Sequence, residues 1–319
     1  MDALPYLLHG TTLALAWFVL LNTATTVAVA IVSARLTRET RAASPGLWLA
    51  LRLSPAAVSV AFVAVVFLPS YWRYEPREFV EGFDLSLTTL ALAAAAIIGF
   101  ALLRGVTAWR NAARRTDAWM RAARPLTLPG VSMPAYAIEV TAPVMALVGV
   151  LRPRLLITRP VLDVLTDEEL RAAAAHEVGH RHAFDNLKRL VMRAAPDLLS
   201  ATAAGPALER QWTAAAEHAA DRSAGDGDRA RCALASALVK VARLTPPVTP
   251  IGEPISALVD GGDITARVRR LLDDPPAAGR RLIARWLAPA IGLSALALTY
   301  TPLLQIVHDV TEVLVNTLP

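Results

Sequence analysis

Apolar residues in this chain mostly run together in long blocks instead of alternating with polar ones. Four blocks stand out: 11–32 (TTLALAWFVLLNTATTVAVAIV), 48–69 (WLALRLSPAAVSVAFVAVVFLP), 86–103 (SLTTLALAAAAIIGFALL) and 286–307 (WLAPAIGLSALALTYTPLLQIV). Their only charged side chain is Arg52, near one end of the second. A helix needs about 20 mostly apolar residues to cross a bilayer, so the pattern predicts four spans. The first lacks the preceding basic stretch of a cleaved signal and has the length of a span.

Between the third and fourth blocks the pattern breaks up. The Ala/Arg-rich stretch to about Arg124 continues the third span as a helix, and the three prolines of 125–134 mark a loop. Short β-prone runs at 135–141, 145–151 and 154–159 predict a small sheet. Thr166 with Glu169 forms a capping box, with Asp167 and Glu168 at the positive helix end, so a helix is expected over 167–184. Further helices are expected at 187–203, 207–224 and 263–274, the last ended by Pro275-Pro276, with a break at 244–254. The expected fold is a mainly α membrane protein, four transmembrane helices with an inserted α+β domain. The expected parts are a three-span region 1–106, a domain 107–281, and the fourth span with a short tail, 282–319.

Composition agrees with this pattern. The 319 residues are 55% hydrophobic and 18% charged, which excludes intrinsic disorder and argues against a single soluble domain. One cysteine, Cys232, excludes an intramolecular disulfide and a cysteine-based zinc site, and fits a reducing compartment. The net charge of +5 comes with no basic stripe along one helix, so direct nucleic-acid binding is not expected. Arginines gather instead in 33–47, in 104–115 and just before the fourth span, at Arg280, Arg281 and Arg285, while 308–319 has none. The positive-inside rule then places the N-terminus, the 70–85 loop and the tail outside, and residues 104–285 in the cytosol.

Within that inner domain, residues 176–180 read His-Glu-Val-Gly-His. Histidines four apart share one helix face and can aim at one zinc ion. Glu177, one step round the helix, is placed to act as general base on a metal-activated water. A catalytic zinc needs a third protein ligand. Residues 217–221 read Glu-His-Ala-Ala-Asp, which makes Glu217 the first candidate and His218 its alternative. Asp221, on the same helix face, can accept a hydrogen bond from a ligand histidine. The plain alternatives are a solvated carboxylate for Glu217 and a helix ion pair for Asp221. His182 points away from the pair, and Asp185-Asn186 reads as a cap of the next helix. Arg267 and Arg222 are candidate oxyanion donors. The β-prone runs offer an edge strand to which an extended peptide could add.

The stretch 149–186 (GVLRPRLLITRPVLDVLTDEELRAAAAHEVGHRHAFDN) resembles the BlaR/MecR-type membrane zinc metallopeptidases, the antirepressor regulatory family of the gluzincin clan. The similarity lies in Leu-Arg-Pro-Arg before a strand, the Thr-Asp-Glu-Glu-Leu helix start, the zinc motif, Asp185-Asn186, and the later Glu217 and Asp221. It implies a gluzincin-type domain with one catalytic Zn2+ on His176, His180 and Glu217, Glu177 as base, and Asp221 behind a ligand. It also implies a multi-pass protein of the bacterial inner membrane that cuts a protein or peptide, such as a transcriptional repressor, in signal transduction. The sensing members carry an extracellular domain after the fourth span; here only residues 308–319 follow, so the resemblance is to a form without that sensor. Two alternatives stand beside it: an HtpX- or prenyl-protease-like enzyme of quality control or processing, and a non-catalytic membrane transducer or scaffold.

Overall fold

In the computed structural model the described residues are 3–39, 44–76, 85–131, 133–225, 227–244, 256–258, 264–273 and 284–317, with 3, 37–39, 256–257, 284–299 and 316 by backbone alone. The chain opens with α1 (Ala3–Glu39). Then α2 (Pro45–Phe62) runs through a π-turn (Val63–Phe67) into α3 (Leu68–Tyr74), and α4 (Leu85–Ala122) follows. Among the described residues, three helical stretches are long and apolar enough to cross a membrane: Leu4–Leu36, Pro45–Tyr74 and Leu85–Ala122. The π-turn has a local cause. Pro69 has no N–H, and its ring crowds the carbonyl four residues back, on Val65, so the helix widens there.

The inserted domain begins without a break. β1 (Ala123–Leu126) continues directly from α4, then come β2 (Ala135–Ile138), β3 (Met145–Val148) and β4 (Arg154–Thr158). Helices α5 (Arg159–Val164), α6 (Asp167–His182), α7 (Asp185–Ala194), α8 (Ala204–Ser223) and α9 (Asp228–Leu244) follow, then β5 (Ser256–Ala257) and α10 (Ile264–Asp273). The sheet order is β1-β2-β4-β3-β5, with β2 and β4 parallel and the other pairs antiparallel. β3 and the Leu155–Ile157 part of β4 are apolar without interruption because both their faces are covered. Met145, Leu147, Leu155 and Ile157 pack on α6 and α9, while Ala146, Val148 and Leu156 lie under Trp119 of α4.

Several sequence expectations change. The helix expected to about Arg124 ends at Ala122, and residues 125–134 are not all loop: Pro125 and Leu126 join Ala123 and Arg124 in β1, an edge strand, where a proline costs no ladder bond. The helix expected over 187–203 stops at Ala194, because Pro196 forces Ala195 into an extended conformation (ψ 122). A short 3-10 turn, Leu199–Ala201, replaces its second half. The stretch 228–243, to which the pattern assigned nothing, forms α9. Its fully buried Leu234 and Leu238 each contribute about 2 kcal/mol by burial. The break at 244–254 and Pro275-Pro276 lie, apart from Leu244, outside the described residues.

α8 has two jobs set by its two faces. One faces α6. The other carries Leu208, Trp212 and Ala216 against Val29 of α1 and Trp48 of α2, joined by Met192 and Leu199. The domain therefore sits on the ends of the long apolar helices. The chain closes with α11 (Ala284–Thr317), which contains the fourth expected span. Tyr300 Oη donates to the Val65 carbonyl at 2.6 Å, and Ser70 Oγ donates to that of Leu304 at 2.6 Å, so α11 seats on the π-turn and α3.

Candidate metal centre

The site is built on α6. Its start is fixed as the sequence predicts: Thr166 Oγ1 accepts from the Glu169 N–H, and Glu169 Oε2 accepts from the Thr166 N–H at 2.8 Å. Two turns on, His176, Glu177 and His180 are all fully buried. The rings of His176 and His180 lie 4.8 Å apart at 84°, with their Nε2 atoms 3.2 Å from each other.

α8 supplies the third group because it crosses α6 closely. A Cβ on Gly179 would overlap Ser223 Oγ and stand 3.3 Å from Ala220 Cα. Only a glycine allows this approach. One turn before Ala220, Glu217 comes opposite the histidines, Oε2 at 3.5 Å from His176 Nε2 and Oε1 at 3.4 Å from His180 Nε2. The two nitrogens stand 3.2 Å apart and each has one carboxylate oxygen of Glu217 at 3.4–3.5 Å, near the spacing of about 3.3–3.4 Å between ligands on metal bonds of about 2.0–2.1 Å. Two imidazole nitrogens and a carboxylate are also the donor set of a catalytic zinc site with one position open. The residues therefore fit a zinc ion. His218, the alternative ligand, is half-buried and outside the triad, and His182 and Arg222 are exposed.

A further layer fixes the ligands. Asp185 Oδ2 accepts from His180 Nδ1 at 2.8 Å. The expectation that Asp185-Asn186 caps the next helix is thus corrected. The N-cap is Phe184, in the left-handed region (φ 56), and that turn swings Asp185 back under His180. Asn186 Nδ2 donates to the carbonyls of Leu147 and Gly149, both at 2.9 Å, tying α7 to the end of β3. Asp221 Oδ1 lies 3.0 Å from His176 Nδ1, at hydrogen-bond length but off the hydrogen-bond angle. Arg267, from α10, braces the carboxylates: Nη2 and Nε donate to Asp221 at 2.6 and 3.1 Å, and Nη1 reaches Leu258 O at 2.9 Å and Glu217 Oε2 at 3.0 Å. It thus braces Asp221 and Glu217, and its Nη2 also lies 3.5 Å from His176 Nε2, at the edge of the site. The outer edge of β3, which flanks α6, is occupied by β5, with the Leu258 N–H donating to Met145 O at 2.9 Å. That edge is not free for an added peptide strand.

The electrostatics follow from burial and pairing. Burial opposes charge on His180, but Asp185 and then Glu217 outweigh it and push the ring up to about 10. Burial likewise opposes charge on His176, and Asp221 and Glu217 raise it. Against burial, the two histidines hold Glu217 well below the usual carboxylate range. Carboxylates that favour protons on two imidazoles favour a cation in their place. Glu177 differs: burial pushes it up to about 7, and neither of its oxygens has a hydrogen-bond partner. A carboxyl so placed can take and return a proton near neutral pH.

A buried His-Glu-x-x-His helix facing a glutamate on a second helix is the arrangement of a zincin-type metallopeptidase. The model of peptidase family M48 matches residues 110–250, less than half of the chain, and supports that class and metal-dependent proteolysis. No curated protein matches the chain.

Proposed function

We propose that the protein is a membrane-embedded zinc endopeptidase whose domain faces the cytosol and cuts a cytosolic or membrane-associated protein in a regulatory role. The observation that carries it is the convergence of His176, His180 and Glu217, whose ligand atoms lie within 4.8 Å of one another, beside the unpartnered Glu177. The complete set argues against a non-catalytic scaffold. The cytosolic side is supported by the arginine distribution, and the regulatory role by the resemblance of residues 149–186.

A zinc ion held by His176, His180 and Glu217 would supply Lewis acidity to a peptide carbonyl. Glu177 takes the proton of the attacking water on its carboxylate and returns it to the leaving amine. Asp185 orients His180, and Asp221 with Arg267 steadies the other side of the site. Because α8 rests on α1 and α2, cleavage occurs close to the membrane surface, which favours substrates that are tethered or recruited there.

The test is to express the full chain beside Glu177→Gln and compare the length and abundance of cellular proteins. A defined protein should persist uncut in the variant. Persistence of a DNA-binding repressor supports the regulatory reading, and a broad set of damaged or lipidated membrane proteins supports the processing alternative. Identical protein profiles in both strains would remove the support for proteolysis.

A further inference from the structure

α7 connects two regions that the mechanism treats separately. At its first residue, Asp185 holds His180. At its other end, the chain leaves the helix at Pro196 without the usual glycine cap, so the last carbonyls need partners. Side chains from three long apolar helices provide them. From α4, Arg104 Nε donates to Arg193 O at 2.7 Å and Nη2 to Ala195 O at 3.1 Å. From α2, Arg52 Nη2 donates to Met192 O at 3.0 Å, Nη1 to Asp197 Oδ2 at 2.7 Å, and Nε to Glu209 Oε1 at 3.0 Å. From α1, Asn22 Nδ2 donates to Pro196 O at 2.9 Å while its Oδ1 accepts from the Leu198 N–H at 3.0 Å.

Arg52 and Asn22 are completely buried. A charged or amide side chain in an apolar span is costly, and its retention marks a function. The backbone contact is equally tight: a Cβ on Gly105 of α4 would stand 2.6 Å from Ala194 Cβ. Cations at a helix C-terminus also meet the negative end of its dipole. So α7, a rigid rod about 15 Å long, is gripped at one end by three spans and touches a ligand histidine at the other.

We propose that Asn22, Arg52 and Arg104 are positioning residues for the metal centre. By fixing α7 against three spans they set Asp185 against His180, so the arrangement of the spans governs the ligand geometry. The proposal rests on the metallopeptidase reading above.

The test is Co(II) titration of the full-length, metal-free chain in lipid nanodiscs, following affinity and the visible absorption band, which reports ligand geometry, with thermal unfolding in parallel. Arg104→Ala and Arg52→Gln should each weaken cobalt binding about 10-fold or more and alter the band, as Asp185→Asn should. The double variant Arg104→Ala/Asp185→Asn should be no weaker than Asp185→Asn alone, since both act through one contact. Gly105→Ala keeps every hydrogen-bonding group but displaces α7. It should show the same change, and it carries the test if Arg52→Gln does not fold. Variants that lower the unfolding temperature yet keep wild-type affinity and absorption would overturn the proposal, as would additive losses in the double variant. A wild-type chain that binds no cobalt would overturn the metallopeptidase reading as well, whereas wild-type binding with unaltered variants defeats this proposal alone.

Discussion

Gly179 decides how near α8 can come to the two histidines. Gly179→Ala should destabilise the protein by about 1–3 kcal/mol through overpacking and weaken metal binding by moving Glu217. Ser223→Ala in the same chain should recover part of the stability, because Ser223 Oγ is the nearer obstacle and Ala220 Cα the remaining one. Denaturant unfolding and metal titration of the single and double variants check this. At this scale the central motif was legible: His176, Glu177 and His180 stand at a spacing that only a helix turns into a site. Glu217 and Asp221 were legible as a second helical pair. Asp185 was misread, because its role depends on Phe184 adopting φ 56, a turn with no glycine to announce it. The engagement of Arg267 was hidden for a different reason. It depends on α10, packed on α9, sending Arg267 back to Asp221, 46 residues away in sequence.

Between elements, a polar tie joins α6 to α9. Glu169 accepts from Lys240 Nζ at 2.8 Å and from Ser236 Oγ at 2.6 Å, besides capping α6. Burial alone would raise this carboxyl, but Lys240, Ser236 and the Thr166 N–H bring it down to about 2. A carboxyl depressed in the folded state stabilises that state above its unfolded pKa, about 4.3, and the contribution fades as pH falls through the folded value, about 2. Glu169→Gln should therefore cost roughly 2 kcal/mol at neutral pH and flatten the loss of stability between about pH 4.5 and pH 2. Chemical unfolding of the two proteins across that range measures it. The helices were legible where periodicity and caps agreed, as in α6. They were not where tertiary contacts decide: α9 is rich in alanine and arginine, and its core face shows only once Leu234, Leu238 and Val241 are seen together. β1 is four residues long, and β5 is two residues seated on a neighbour far away in sequence.

For the whole molecule, the apolar blocks were legible because a membrane span needs only composition and length. Three correspond to helices long enough to cross, and the fourth falls within α11. The union of domain and spans was not legible, since Arg52 in an apolar run does not declare Asp197 and Glu209 as its partners. The orientation has a direct check in the chain's own chemistry. Cys232 is the only cysteine, and it is exposed on α9. A membrane-impermeant maleimide should label it in inverted vesicles and leave it unlabelled in intact cells. The reverse pattern would put the domain outside.

The metal content of the purified full-length protein, determined by elemental analysis, tests the central claim most directly. The account predicts one zinc per chain, retained in Glu177→Gln, which is not a ligand, and lost in His176→Ala and in Glu217→Ala. No zinc in the wild type, or equal zinc in all four proteins, would contradict it.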